Sequence, residues 1–206
     1  EIRNPLGIIR NHSYILRGAA DKTTVKSLDY IDAAVERARR IIDNLLEFSR
    51  LTDDKMEQIN IYHLIHQILN LENKTLMKHN IDCRLNCEEE LIFYSNADAL
   101  KHILINLISN AADAIESNGL IEVTCFLSDL RLINRIEDTG EGIEEDKFEQ
   151  IFNPFYTTKA PDKGTGLGLY IVYNEVKKLG GEITVYRSDE NRTVFEMQLP
   201  DRKEVV

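Results

Sequence analysis

Two features of membrane and secreted proteins are missing from this sequence. It has no run of about 18 apolar residues, which is the length that a membrane-spanning helix needs. It also opens on Glu1, without the basic and apolar stretches of a secretory signal. We therefore expect these residues to lie in the cytoplasm, and any membrane anchor of a longer parent protein would have to come from segments upstream.

Cysteine is also scarce, and acidic residues outnumber basic ones. The three cysteines (Cys83, Cys87 and Cys125) form no Cys-x-x-Cys pair, and no histidine spacing suggests a zinc site, so we expect reduced thiols. A formal net charge of -10 makes the chain a poor ligand for nucleic acid backbones. Hydrophobic residues make up 43% of the chain, which is enough for a packed core.

The first 52 residues predict a hairpin of two helices, because apolar residues recur there in steps of three and four. These residues are Ile2, Leu6, Ile9 and Leu16 in the first helix, and Leu28, Ile31, Val35, Ala38, Ile42 and Leu45 in the second. A polar turn over residues 18–24 separates them, with Thr24 as a plausible N-cap. Two helices cannot bury both of their faces alone, so we expect a homodimeric four-helix bundle. The alternative is packing against the rest of the same chain.

A charged hinge at residues 52–55 separates this hairpin (residues 1–52) from a second domain (residues 56–206). The later strands and helices come in groups and do not strictly alternate, which predicts an α+β fold with a mostly antiparallel sheet and helices on one face. The predicted strands are 58–61, 81–85, 91–94, 121–127, 131–137, 183–187 and 193–199. Three helices are predicted: one that follows the first strand and ends near residue 78, one over 98–116 and one over 167–179.

Two glycine-punctuated turns are candidate ligand sites. At residues 138–143, Asp138 leaves a strand into a turn in which Gly140 and Gly142 allow a ligand to approach the backbone. A buried aspartate there can accept a hydrogen bond from an exocyclic amine such as that of adenine, but such turns are also ordinary loops. The second turn, Gly164 to Leu169, leads into an apolar helix and can cradle phosphates.

Asn106 and Asn110 lie one turn apart on an otherwise apolar helix, where buried amides need partners. An amide oxygen can bind Mg²⁺ that phosphates already hold. The alternative is a pair of amides that cap a helix or join two helices. Further along, we expect Phe152 and Phe155 to anchor a loop in the core, from which Lys159 and Lys163 can reach phosphates.

The order and spacing of these motifs resemble the N, G1, F and G2 boxes of the sensor histidine kinases of two-component systems. Residues 1–6 are similar to the segment that directly follows the phosphoacceptor histidine in that family, and residues 38–50 to the end of its second dimerisation helix. Residues 110–114 and 154–159 resemble the nitrogen-regulatory and sporulation-kinase subgroup. The resemblance implies a dimerising helical hairpin followed by an α/β sandwich of Bergerat type that binds ATP.

The resemblance also implies roles for individual residues. Asp138 would recognise adenine, Asn110 would hold Mg²⁺ and Asn106 would line the same site. The remaining nucleotide-binding residues would be Gly140, Gly142, Ile143, Lys159, Gly164, Thr165, Gly166, Leu167 and Gly168. Many relatives carry a basic residue a few positions after the Mg²⁺ ligand. Asp113 stands in that neighbourhood here, so the phosphate charge would be met by Lys159, Lys163 or Mg²⁺.

The γ-phosphoryl group of ATP would pass to a histidine and then to an aspartate in the receiver domain of a response regulator. Glu1 resembles the general base beside that histidine, and Asn4 a residue that orients water for dephosphorylation. The histidine itself would stand directly before Glu1, so we expect the chain as given not to phosphorylate itself. Two alternatives are a hydrolytic ATPase of the same superfamily, which would carry a glutamate at the position of Asn106, and a non-catalytic dimeric adaptor.

Overall fold

The computed structural model describes residues 3–18, 20–50, 55–159, 164–187 and 192–201, without the side chains of residues 3–5, 44–45 and 47–50. The chain divides into two compact units. One contains Glu1–Thr52 together with Pro154–Leu167, and the other contains Asp53–Asn153 and Gly168–Val206. Among the described residues, no helix is both long enough and apolar enough to cross a membrane.

The first unit contains a helical hairpin of α1 (Arg3–Arg17) and α2 (Lys22–Arg50). Ion pairs join the two helices near the turn between them. The Arg17 guanidinium lies 2.7 Å from the Asp29 carboxylate and 2.6 Å from that of Asp32. The side chains of Leu28 and Val35 are buried, as the apolar steps of three and four predict.

The start of α2 differs from the prediction. The helix begins at Lys22, and the Asp21 carboxylate accepts a hydrogen bond from the Thr24 backbone N–H at 2.7 Å. Asp21 therefore caps the helix, and the prediction of Thr24 as the N-cap is wrong. The N–H groups in the first turn of a helix have no partner within the helix, and the side chain of the N-cap residue accepts from one of them. Here the N–H that Asp21 satisfies is that of Thr24 itself.

Part of the apolar pattern of the hairpin stays exposed in the single chain. Ile9, Leu16 and Ile31 belong to the predicted seam, yet 45%, 59% and 42% of their surfaces remain accessible. Ile8 and Ile15 of α1 are exposed as well. The two helices of one chain thus cover only some of the residues that the spacing marks as apolar.

The second unit is an α/β sandwich, which confirms the predicted fold class. Its elements are β1 (Glu57–Asn60), α3 (Ile61–Lys78), β2 (Ile81–Cys87), β3 (Ile92–Ser95), α4 (Ala97–Ala114), β4 (Gly119–Ser128), β5 (Arg131–Asp138), α5 (Gly168–Lys178), β6 (Glu182–Arg187) and β7 (Thr193–Pro200), with short 3-10 turns at Glu145–Lys147 and Gln150–Phe152. Strands β1 and β3 form an antiparallel pair. The main sheet has the order β2-β4-β5-β7-β6 and is antiparallel except for the parallel β2–β4 pair.

Asparagine residues define where two helices of the sandwich begin. The side-chain oxygen of Asn60 accepts from the His63 backbone N–H, and that of Asn96 accepts from the Ala99 N–H, both at 2.8 Å. Helix α4 then buries most of its surface in the core, with five large side chains almost fully inaccessible: Leu100, Ile103, Leu104, Leu107 and Ile108. A helix buried this deeply can hold polar groups in fixed positions.

The β4–β5 hairpin turns where the sequence predicts it. Asp129 and Leu130 both have positive φ angles, of 49° and 58°. Two consecutive residues in this region are typical of the tight turn whose twist matches that of paired strands. The turn sets the register that places Asp138 opposite Ile121 of β4.

Candidate functional site

Asp138 is the last residue of β5, and only 2% of its surface is accessible. Its Oδ1 accepts a hydrogen bond from the Gly140 backbone N–H at 2.8 Å. Burial raises the pKa of the carboxyl group to about 6, against the lowering effect of the Gly140 hydrogen bond, and Glu137 adds to the increase. A ligand that donates a hydrogen bond would stabilise the buried carboxylate.

The turn after Asp138 is fastened to the end of α4. The Glu141 backbone N–H donates to the carbonyl oxygen of Ala114, the last residue of that helix, at 3.1 Å. A Cβ atom on Gly140 would lie 2.6 Å from this oxygen and 2.7 Å from Asp138 Oδ1. Glycine is therefore required at position 140, because any side chain would push the turn away from both the helix and the carboxylate.

Gly142 and Ile143 continue this turn toward Arg187. Gly142 has a φ angle of +80°, and a Cβ atom there would lie 3.0 Å from Arg187 Nη2. Arg187 Nε also donates to the Ile143 carbonyl oxygen at 3.2 Å. Arg187 was missed by the sequence reasoning: it ends β6, 44 positions away from Ile143, and no motif marks it.

Asn106 and Asn110 meet the start of α5. Asn106 Nδ2 donates to the His102 carbonyl oxygen at 2.9 Å. The position that a Cβ atom would take on Gly168 lies 2.8 Å from Asn106 Oδ1 and 3.9 Å from Asn110 Nδ2. Because Gly168 is the first residue of α5, the two amides converge on the N-terminus of that helix.

Asn106, Asn110 and Gly168 form a corner at the start of α5. The chemistry of this corner favours an anion. The N-terminus of a helix carries positive partial charge and free backbone N–H groups. The half-buried amides of Asn106 and Asn110 add side-chain oxygens, which are suitable hard ligands for a divalent cation. In the described part of the chain, no group of three or more His, Cys, Asp or Glu residues could hold a metal ion. A cation at this corner would therefore need further ligands, such as phosphate oxygens.

The glycine-rich segment, residues 154–167, belongs to the first unit. The Phe155 backbone N–H donates to the Gly166 carbonyl oxygen at 2.8 Å. This hydrogen bond joins the beginning of the segment to its end. Both residues have positive φ angles, of 67° and 70°. A Cβ atom on Gly166 would collide with the Phe155 backbone, so the segment closes only with glycine there.

Two threonine hydroxyl groups accept hydrogen bonds from backbone N–H groups in the described part of this segment. Thr157 Oγ1 accepts from the Lys159 backbone N–H at 3.1 Å and would lie 2.5 Å from a Cβ atom on Gly164. Thr165 Oγ1 accepts from the Leu167 backbone N–H at 3.4 Å, and Leu167 itself is buried.

The structure thus brings two groups of the predicted residues together within the second unit. Asp138, Gly140, Gly142 and Ile143 form one turn, and Asn106, Asn110 and Gly168 form the corner at α5. Of the remaining predicted residues, Glu1, Lys163 and the side chain of Asn4 lie outside the described residues.

Comparison with known proteins identifies the class and then the family. Residues 95–203 match the family described as histidine kinase-, DNA gyrase B-, and HSP90-like ATPase. Residues 1–54 match the His Kinase A (phospho-acceptor) domain. The chain is also 32% identical to the solved catalytic domain of the histidine kinase ThkA, with a TM-score of 0.66, covering 71% of this chain and 96% of that one. The chain therefore belongs to the histidine kinase family, as its motifs indicate.

Two further relatives cover nearly the whole chain. The sensor histidine kinase ZraS of Escherichia coli strain K12 is 32% identical over 203 residues, which are 97% of this chain and 43% of ZraS. The structure of ThkA in complex with the response regulator protein TrrA is 27% identical, with a TM-score of 0.74, and the match covers all of this chain and 60% of ThkA. The chain thus spans less than half the length of ZraS.

Proposed function

We propose that this chain is the catalytic core of a sensor histidine kinase. It binds ATP and transfers the γ-phosphoryl group to a histidine, from which the group passes to an aspartate of a response regulator. The observation that carries the proposal is the corner at which Asn106 and Asn110 meet the N-terminus of α5. Helix α4, which bears both amides, also anchors the turn of the buried Asp138.

Asp138 recognises the adenine base in this proposal. Its carboxylate is buried and its Oδ1 is held in place by the Gly140 N–H, so it presents a fixed acceptor to the exocyclic amine. Gly140, Gly142 and Ile143 line the base beside Asp138, and position 140 has to be glycine because a side chain there would clash with the carboxylate. Arg187 supports this turn through its hydrogen bond to the Ile143 carbonyl oxygen.

The phosphates lie at the N-terminus of α5, where backbone N–H groups and the helix dipole stabilise negative charge. Asn110 supplies an amide oxygen to Mg²⁺, with Asn106 beside it. The ion would neutralise phosphate charge during transfer. The donor set fits this ion, since amide oxygens are hard ligands that bind Mg²⁺ together with phosphate oxygens.

The glycine-rich segment supplies the remaining contacts to the phosphates in this proposal. Gly164, Thr165, Gly166 and Leu167 of this segment line the phosphates together with Gly168 at the start of α5, and Lys159 offers a positive charge. Phosphoryl transfer requires mainly that the reacting groups are positioned and their charge neutralised. A hydrolytic role is disfavoured, because Asn106 has no carboxylate to activate water and its amide nitrogen is bound to the His102 carbonyl oxygen.

The hairpin over residues 1–52 presents the accepting histidine, and residues 56–206 form the ATP-binding domain. Glu1 takes the imidazole proton of a histidine that directly precedes it, and Asn4 orients water in the reverse reaction. Two copies of the hairpin form a four-helix bundle. The exposure of Ile9, Leu16 and Ile31 supports this, because a second hairpin would cover these side chains.

A response regulator docks on the hairpin helices. The complex of ThkA with the response regulator protein TrrA supports this partner, because all of this chain matches 60% of ThkA.

Calorimetry with ADP and Mg²⁺ tests nucleotide binding. We expect the chain to bind the nucleotide, and Asp138→Asn to weaken binding at least tenfold, as the loss of a hydrogen bond to a charged group does. Asn110→Ala should weaken binding in the presence of Mg²⁺ and much less without it. Asn70→Ala, an exposed amide on α3, is the matched control. Equal affinities in all four proteins would remove the basis for the site.

Radiolabelled ATP tests the transfer step. A chain extended by a histidine directly before Glu1, together with the upstream part of the helix, should become labelled, whereas the chain as given should not. The label should be labile to acid and stable to alkali, as a phosphoramidate is. Glu1→Gln in the extended chain should slow labelling about 10² to 10⁴-fold, as the loss of a general base does. Labelling of the unextended chain would show that the acceptor lies elsewhere.

A further inference from the structure

Two of the three cysteines face each other across neighbouring strands. Cys87 of β2 and Cys125 of β4 are register partners in the parallel pair, and both thiols are free. Neighbouring strands lie about 4.8 Å apart, within the Cα separation of about 4.4 to 6.8 Å that disulfides span. Strand β2 is at the edge of the five-stranded sheet, so only one strand holds it.

A chain of hydrogen bonds links these thiols to a buried amide. Asn134 of β5 is the register partner of Cys125 on the other side, and its Nδ2 donates to Cys125 Sγ at 2.6 Å. Cys125 in turn shares a hydrogen bond with the Cys87 side chain. The row thus runs inward from the sheet edge, from Cys87 through Cys125 to Asn134.

The three cysteines differ in the pKa of their thiols and in their exposure, and both properties favour Cys87 as the residue that reacts with an oxidant. The hydrogen bond from Cys125 lowers the pKa of the Cys87 thiol, against the opposing effects of burial and of Glu88. Burial, with a contribution from Asp82, raises the pKa of Cys83 to about 11. Cys87 is partly accessible, whereas only 3% of the Cys125 surface is exposed. Partly exposed thiolates are the ones that react with oxidants.

We propose that Cys87 and Cys125 form a reversible oxidation site for hydroperoxides, with Cys87 as the reacting residue and Cys125 as the resolving one. The Cys87 thiolate attacks the peroxide oxygen, the O–O bond breaks, and the leaving hydroxide or alkoxide takes up a proton, which gives a sulfenic acid on Cys87. The Cys125 thiol then attacks the Cys87 sulfur, so that an S–S bond forms and water leaves. A small dithiol restores both thiols and is itself oxidised to a disulfide.

Oxidation of the full chain with hydrogen peroxide tests this site. The protein should lose two of its three thiols and about 2 Da in mass, and a small dithiol should reverse both changes. Peptide mapping should place the bond between Cys87 and Cys125. Cys83→Ser is the matched control, because Cys83 lies on the same strand and the same face, and this variant should form the same bond.

A second variant separates the two steps. In Cys125→Ala the reaction should stop at a sulfenic acid on Cys87, which a dimedone-type reagent traps. The mapping of the unaltered protein remains decisive if this variant does not fold. A bond that includes Cys83, a bond between two copies of the chain, or the survival of all three thiols under conditions that oxidise free cysteine would each overturn the proposal.

Discussion

The buried carboxylate of Asp138 should destabilise the folded domain at neutral and alkaline pH. Its pKa is raised from 3.8 to about 6 by burial, so the folded state binds this proton more tightly than the unfolded chain does. Asp138→Asn keeps the shape of the side chain and an oxygen that accepts from the Gly140 N–H. We therefore expect a variant that is more stable than the parent at alkaline pH and that binds the nucleotide at least tenfold more weakly.

The magnitude follows from the two pKa values. One pKa unit corresponds to about 1.36 kcal/mol, so the increase to about 6 destabilises the fold by about 3 kcal/mol near pH 8. Below the unfolded pKa of 3.8 the carboxyl group is protonated in both the folded and the unfolded state, so the fold has its full stability there. Stability falls as the pH rises above 3.8, and this loss is complete once the pH has passed the folded pKa of about 6. Near pH 5 the destabilisation should be about half as large.

Urea unfolding followed by far-UV circular dichroism measures this effect. The free energy of unfolding of Asp138→Asn should exceed that of the parent by an amount that grows from acid to alkaline pH. Asp82→Asn makes the same substitution at an exposed position on β2 and should show no such trend. A difference that is independent of pH, or that shrinks toward alkaline pH, would refute the argument from burial.

Three further predictions concern helix packing and capping. Gly168→Ala places a methyl group 2.8 Å from Asn106 Oδ1 and should weaken ADP binding at least tenfold in calorimetry, whereas Gly7→Ala, with nothing within 4 Å, should not. Asp21→Ala removes the cap of α2 and should lower the melting temperature seen by circular dichroism, whereas Asp21→Asn should largely preserve it. Leu28→Ala should lower the free energy of urea unfolding by about 2 to 5 kcal/mol, because it empties a buried site; a loss within error would argue against a packed hairpin.

Much of the architecture is local in origin and could be predicted from the sequence. The steps of three and four in α2 and the turn at Asp129 are properties of neighbouring residues, so the helix and the hairpin follow from short-range preferences. The predicted limits are also close, as for α5, which was expected over residues 167–179 and covers Gly168–Lys178. The N-cap of α2 at Asp21 was missed because Asp and Thr are both good caps, and only the backbone geometry distinguishes them.

The sequence alone determined the family, the order of the elements and the residue types of the site, because the motifs are contiguous and their spacing is specific. Only the tertiary structure decided which of these residues meet. The contact of Asn106 with the start of α5 joins segments that are 62 positions apart, and the hydrogen bond from Arg187 to the turn after Asp138 spans 44. The facing of Cys87 and Cys125 depends likewise on a parallel strand register. Such proximities arise when packing and strand pairing bring distant segments together, and no local preference encodes them.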